Sequence, residues 1–128
     1  MRAILVITIA VLSALVSCKK VKMPANTNEL MGEWKVVNEP GGWGTSERSD
    51  GKTTFKFTKQ GRLYVFENHI LKSTRTFHFT KRRSIYSAEQ EYIIDYDKGT
   101  DQSFKIEGNT LYLNIEAADA GGYVLTRK

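Results

Sequence analysis

The sequence predicts an all-β domain: an antiparallel meander of about eight strands closed into a small up-and-down barrel. Three observations predict it. Beyond residue 30, apolar and polar residues alternate and helical periodicity is nearly absent. Turn residues break the alternation every several positions, so successive strands are joined by short loops and pair as antiparallel neighbours. Eight such strands can also close on themselves, which removes the two unpaired edges of an open sheet.

The N-terminus precedes that pattern. Arg2 is the only charge before Lys19, and Ala3 to Val16 is apolar apart from Thr8 and Ser13. This run is too short for a spanning helix of roughly 20 residues but suits a secretory signal. Leu15-Val16-Ser17-Cys18 resembles the bacterial lipobox. The resemblance implies diacylglycerol on the Cys18 thiol, cleavage just before it and acylation of the new amine. Cys18 is the only cysteine, so it has no partner for an intramolecular disulfide. Several acyl chains hold a protein stably at a bilayer, where one binds only reversibly. The expected organisation is a signal peptide over 1–17, a lipidated cysteine and tether over 18–28, and a barrel over 29–128. The tether, Lys19 to Asn28, is polar, contains one proline and spans at most about 35 Å. Glu29-Leu30-Met31 is read as a short helical turn leading into the first strand.

After cleavage one domain remains, large enough to fold without disulfides. The formal net charge is +5, and Arg2 leaves with the signal. That balance invites a nucleic-acid reading, but the only dense basic cluster in the domain is Lys81-Arg82-Arg83, read as a solvated turn. Lys19, Lys20 and Lys22 suit anionic lipid head groups instead.

The strands follow in order. Gly32–Asn38 puts Trp34 and Val36 on one face, against Glu33 and Lys35. Thr53–Thr58 aligns Phe55 and Phe57, and Lys59-Gln60-Gly61 turns into Arg62–Glu67. Ser73–Thr80 aligns Phe77 and Phe79, while Ser84–Ser87 is strand or irregular. Glu91–Tyr96 aligns Tyr92, Ile94 and Tyr96, and Ser103–Glu107 aligns Phe104 and Ile106. Gly108-Asn109 turns into Thr110–Glu116, with Leu111, Leu113 and Ile115 aligned. Tyr123–Arg127 is last.

Gly32-Glu33-Trp34 opens the first strand as a G-x-W, Phe55-x-Phe57 precedes the Gln60-Gly61 turn, and the chain ends Tyr123-Val124-Leu125-Thr126-Arg127-Lys128. With Phe104 to Leu113 between them, these residues resemble the small lipocalin-like domains of bacterial lipoproteins, within the calycin group. The resemblance spans roughly Leu30 to Lys128. It implies that Trp34 lies at the closed end of the barrel and that Arg127 packs across it, a structural pair rather than a ligand site. It also makes the loop between the first two strands a lid over the open mouth.

That loop, Asn38 to Lys52, holds Trp43 among three glycines. Trp43 either covers a ligand or touches a partner, or it folds back to seal the mouth. Phe55, Phe57, Phe77, Phe79, Tyr92 and Phe104 are the candidate inner wall, either of a pocket or of a filled core. Arg75 shares parity with Phe77. Pointing inward it needs an acceptor, such as Asp95, Glu91 or a ligand carboxylate, unless a bulge turns it outward. The carboxylates from Asp95 to Asp101 alternate as in calcium loops, but Ile106 stands where the final glutamate of an EF-hand belongs, so a Lys98-Gly99 turn is expected and no metal. His69 and His78 are isolated, and no catalytic motif is present.

The sequence therefore points to a lipid-anchored barrel binding a small apolar or amphipathic molecule, without cofactor, catalysis or nucleic acid. The alternative is an accessory lipoprotein with a filled barrel that binds another envelope protein. Because Lys19 rather than an aspartate follows Cys18, the lipoprotein resemblance implies the outer membrane, facing the periplasm.

Overall fold

The computed structural model describes residues 25–128. The expected signal segment and the attachment residue Cys18 lie outside the described residues. The chain enters through one helical turn, α1 (Ala25–Asn28). Leu30 N donates to Thr27 O at 3.2 Å, and both residues are fully buried. The end of the expected tether is thus part of the domain, and the helix lies earlier than Glu29–Met31.

Nine strands follow: β1 (Gly32–Pro40), β2 (Ser46–Arg48), β3 (Thr53–Phe57), β4 (Arg62–Glu67), β5 (Ile70–Arg83), β6 (Gln90–Tyr96), β7 (Gln102–Glu107), β8 (Thr110–Ile115) and β9 (Gly122–Arg127). β1 pairs with β3, from β3 to β9 each pairs with the next, antiparallel throughout, and β9 returns to β1 with Trp34 opposite Arg127 and Val36 opposite Leu125. An eight-stranded barrel is closed in this way. The three residues of β2 hang on the far end of β1, with Pro40 opposite Ser46.

Period-2 alternation builds the interior. Trp34, Val36, Phe55, Phe57, Leu63, Phe77, Ile94, Leu111, Leu113 and Leu125 form one buried cluster, with Leu30 and Tyr96. Their polar neighbours, such as Glu33, Lys35 and Lys56, face solvent. At the β3–β4 turn Gly61 has φ +78°, and a Cβ there would come within 2.7 Å of Phe77 O, so the site requires glycine.

Three strand expectations need correction. β2 was not expected, because Ser46-Glu47-Arg48 is wholly exposed and has no apolar alternation to read. β5 runs well beyond Ser73–Thr80 at both ends. Its start is hidden by a bulge: Val65 faces Ser73 but Phe66 faces Leu71, which leaves Lys72 as the extra residue. Its end is the basic cluster, which is strand and not turn. Arg82 Nη2 pairs with Asp101 Oδ2 at 3.1 Å, and the Lys81 ammonium lies 5.6 Å from the Tyr92 ring centroid. Ser84–Ser87 is irregular rather than strand: a turn with Tyr86 N donating to Ser84 Oγ at 3.1 Å.

Candidate functional site

The closed end is filled. The Arg127 guanidinium carbon sits 4.0 Å from the Trp34 ring centroid. Arg127 also donates to the carbonyls of Glu29 (2.6 Å) and Met31 (3.2 Å), and Trp34 Nε1 donates to Leu30 O at 2.8 Å. The entering chain is thereby fastened beneath the barrel. Above it Phe77 meets Phe57, Phe79 and Tyr96 with ring centroids 5.7, 5.5 and 6.3 Å apart, and Phe79 meets Phe104 at 5.9 Å. These edge-on and tilted contacts fill the middle of the barrel.

The opposite end holds a recess of about 260 Å³. Val36, Phe55, Leu63, Val65 and Tyr123 give it an apolar floor, and Glu39, Glu67, Lys72 and Arg75 give it a charged rim. Of the residues expected in a ligand wall, only Phe55 and Arg75 line this space. Phe57, Phe77, Phe79, Tyr92 and Phe104 do not: the four phenylalanines contact one another and Tyr96, and the Tyr92 ring lies beside Lys81.

Arg75 faces inward, opposite the buried Leu63, because the bulge falls at Lys72 and leaves its parity intact. Its guanidinium carbon is 5.6 Å from the Tyr96 ring centroid. A Cβ on Gly99 would come within 3.1 Å of its Nη1, so the loop after β6 closes over it. Among the described residues no carboxylate forms a salt bridge with it. Neither expected acceptor meets it: Asp95 Oδ2 meets His78 Nε2 at 3.3 Å and accepts from Thr80 Oγ1 at 3.5 Å, and Glu91 lies farther along β6, in register with Arg82.

The recess tyrosines are kept neutral. Burial pushes the Tyr96 hydroxyl far above its ordinary range, against the opposing pull of Arg75, and it donates to Gln102 Oε1 at 2.6 Å. Burial, then Glu39, raises Tyr123, again against Arg75. The site therefore offers one half-buried cation, one further ammonium, two carboxylates at the rim and an apolar floor.

Trp43 does not cover this mouth, neither as a lid over a ligand nor as a seal. It is 93% exposed and is absent from the recess lining. Its backbone has φ 57° and ψ 41°, and Gly41 N donates to Thr45 O at 2.7 Å across the turn. With β2 folded back on β1, the loop rests against the β8–β9 connection: a Cβ on Gly121 would come within 2.9 Å of Thr45 O. Trp43 consequently borders an outer groove of about 500 Å³, together with Tyr86, Tyr112, Asn114, Asp119 and Val124.

Sequence reasoning missed Lys72, Glu67, Glu39 and Tyr123 as recess residues. Tyr123 carried a usable signal, since it alternates with Leu125; Lys72 carried none, because the bulge hides its direction. The aspartates after Tyr96 are dispersed: Asp97 accepts from Thr76 N at 3.2 Å and Asp101 binds Arg82. His69 lies in the β4–β5 turn, and His78 pairs with Asp95.

Comparison with known families finds no family model that matches the chain, and comparison with curated proteins finds no match. What fold and site define is a class of architecture: a closed eight-stranded antiparallel β-barrel, plugged at one end and recessed at the other.

Proposed function

We propose that this chain is a lipid-anchored, lipocalin-like barrel of a bacterial envelope that binds a small amphipathic molecule at its open end. The observation that carries the reading is Arg75, a half-buried guanidinium facing an apolar-floored recess and free of any carboxylate salt bridge among the described residues. Glu39 and Glu67 border the recess but neither forms a salt bridge with Arg75, and a ligand carboxylate supplies two acceptors in the geometry a guanidinium favours. Val36, Phe55, Val65 and Tyr123 then take the apolar part. The recess of about 260 Å³ is at the small end of ligand sites, so the ligand is a short amphiphile and not a long-chain lipid.

Attachment through Cys18 fits the geometry, because the chain enters the barrel at its closed end, beneath Trp34 and Arg127. The open mouth is then free to face the periplasm. No group in the recess is arranged as a nucleophile with a base, so binding and not catalysis is the reading. Native mass spectrometry of protein purified without detergent tests it. A co-purifying small acid that is lost in Arg75→Met supports the proposal; a bare mass, together with no binding of short-chain carboxylates, refutes it.

A second reading, an accessory lipoprotein that binds an envelope protein, draws on the β4–β5 hairpin. Ile70 and Leu71 there are 61% and 50% exposed with no apolar cover. A Leu71→Asp variant that abolishes crosslinking to one envelope protein, with carboxylate binding absent, favours that reading instead.

A further inference from the structure

The outer groove beside Trp43 has a chemistry of its own, unlike that of the mouth, although Tyr123 borders both. Four aromatic residues border it, Trp43, Tyr86, Tyr112 and Tyr123, and no lysine, arginine or histidine does. This is notable in a chain of net charge +5. Trp43 is held outward at a backbone conformation that non-glycine residues seldom adopt, although it packs in no core. Tyr86 is equally fixed: its hydroxyl lies 2.7 Å from Ile115 O and 3.2 Å from Ala117 O, while half of the residue stays exposed. The Tyr86 ring is therefore in place before any ligand arrives, which lowers the cost of binding, and the Trp43 backbone directs its indole away from the core.

The charge at the groove is negative. Asp119 borders it and makes no salt bridge among the described residues. Glu116 lies behind Tyr86, where its Oε2 accepts from Ile85 N at 3.0 Å and its buried Oε1 has no partner. Both carboxylates act on the Tyr86 hydroxyl, which burial first and then Glu116 and Asp119 hold above its ordinary range. Lys105, opposite Tyr112 in the β7–β8 ladder, has its ammonium held by Glu107 at 2.7 Å and does not neutralise the groove.

Electron-rich aromatic faces beside an unpaired carboxylate attract organic cations, best of all alkylated ammonium groups that shed water easily. We propose that this groove is a second binding site, for a small molecule bearing a quaternary or alkylated ammonium group, with Trp43 as the stacking face and Asp119 as the counter-charge. Saccharides and neutral apolar groups use the aromatic faces but gain nothing from Asp119, so charge selectivity is the property that marks the site.

The two tryptophans make it testable in the intact protein, since Trp34 is buried and Trp43 exposed. The indole N–H resonances are followed during titration with choline chloride at constant ionic strength, and with 3,3-dimethylbutan-1-ol, the uncharged isostere of choline. Choline is expected to shift the Trp43 resonance saturably and leave Trp34 unmoved, with the alcohol about tenfold weaker. Asp119→Asn tolerates the positive φ of that residue and is expected to weaken choline several-fold while leaving the alcohol unchanged. Trp43→Leu, at an exposed site, is expected to fold normally and to remove the choline-induced shift of the Tyr112 ring. Equal binding of choline and the alcohol, or no saturable response to choline, overturns the proposal.

Discussion

The Arg127 guanidinium carbon lies 4.0 Å from the centre of the Trp34 ring, and the two residues are also direct partners in the β1–β9 ladder that closes the barrel. Residues from opposite ends of the domain thus make one closure. The same guanidinium reaches the carbonyls of Glu29 and Met31, so it fastens the entering chain as well.

Arg127→Ala is therefore expected to destabilise the fold by about 1–2 kcal/mol, the sum of an exposed cation–π contact and two charged hydrogen bonds discounted for solvent. Arg127→Lys recovers only part of this, because an ammonium neither stacks as a plane nor reaches both carbonyls. Trp34→Ala empties the fully buried indole site and costs about 3–5 kcal/mol. Urea unfolding monitored by far-UV circular dichroism measures all three.

Gly61→Ala is expected to cost more than 1 kcal/mol, although it adds only a methyl group. The residue has φ +78°, and the added carbon meets Phe77 O at 2.7 Å. By contrast, Gly108→Ala at φ +58° meets nothing within 4 Å and bears only the backbone strain. Paired thermal melts separate the steric part from the conformational part.

Alkaline pH should unfold the protein through its buried phenols. Tyr96 and Tyr123 hold their protons above the ordinary tyrosine range of about 10, chiefly because burial disfavours the phenolate. A group whose folded pKa is raised binds more protons folded than unfolded once pH exceeds its unfolded value. Stability contributed by these tyrosines is therefore complete below about pH 10 and falls as pH rises past it. Tyr96→Phe flattens that decline. It also lowers stability at neutral pH by ~1–3 kcal/mol, since Gln102 Oε1 loses its donor at 2.6 Å. Melting temperature recorded against pH for both proteins checks the sign.

Trp43 makes the opposite case. At 93% exposure it contributes to no core, so Trp43→Ala is expected to change stability by less than about 0.5 kcal/mol. A large loss would show that the Gly42–Gly44 turn depends on the indole.

Much of the barrel was legible because period-2 alternation reports directly on which face is buried. Trp34 and Val36, Phe55 and Phe57, and Leu111 and Leu113 each show it within one strand and all enter the interior cluster. What alternation cannot report is anything that interrupts or lies outside the ladder. The bulge at Lys72 shifts one residue and brings an ammonium to the recess. Ile93 lies on the opposite side of β6 from Ile94, yet both are fully buried, and Ile93 stands apart from the interior cluster. The direction of Trp43 depends on a left-handed backbone turn and on β2, whose three exposed residues carry no hydrophobic signal. Aromatic alternation also cannot separate a pocket wall from a packed core. Phe57, Phe77, Phe79 and Phe104 satisfy one another, and the free space lies instead where charged residues meet the strand ends.

The central claim is that Arg75 receives the head group of a small amphipathic acid at the open end. Isothermal titration with hexanoate, and with hexanol as its uncharged counterpart, tests it most directly in the wild-type protein and in Arg75→Met. The account predicts saturable hexanoate binding, weaker hexanol binding and a loss of about tenfold or more for hexanoate alone in the variant, with the melting temperature nearly unchanged. Hexanoate affinity that is the same in both proteins, or no hexanoate binding to either, would contradict it.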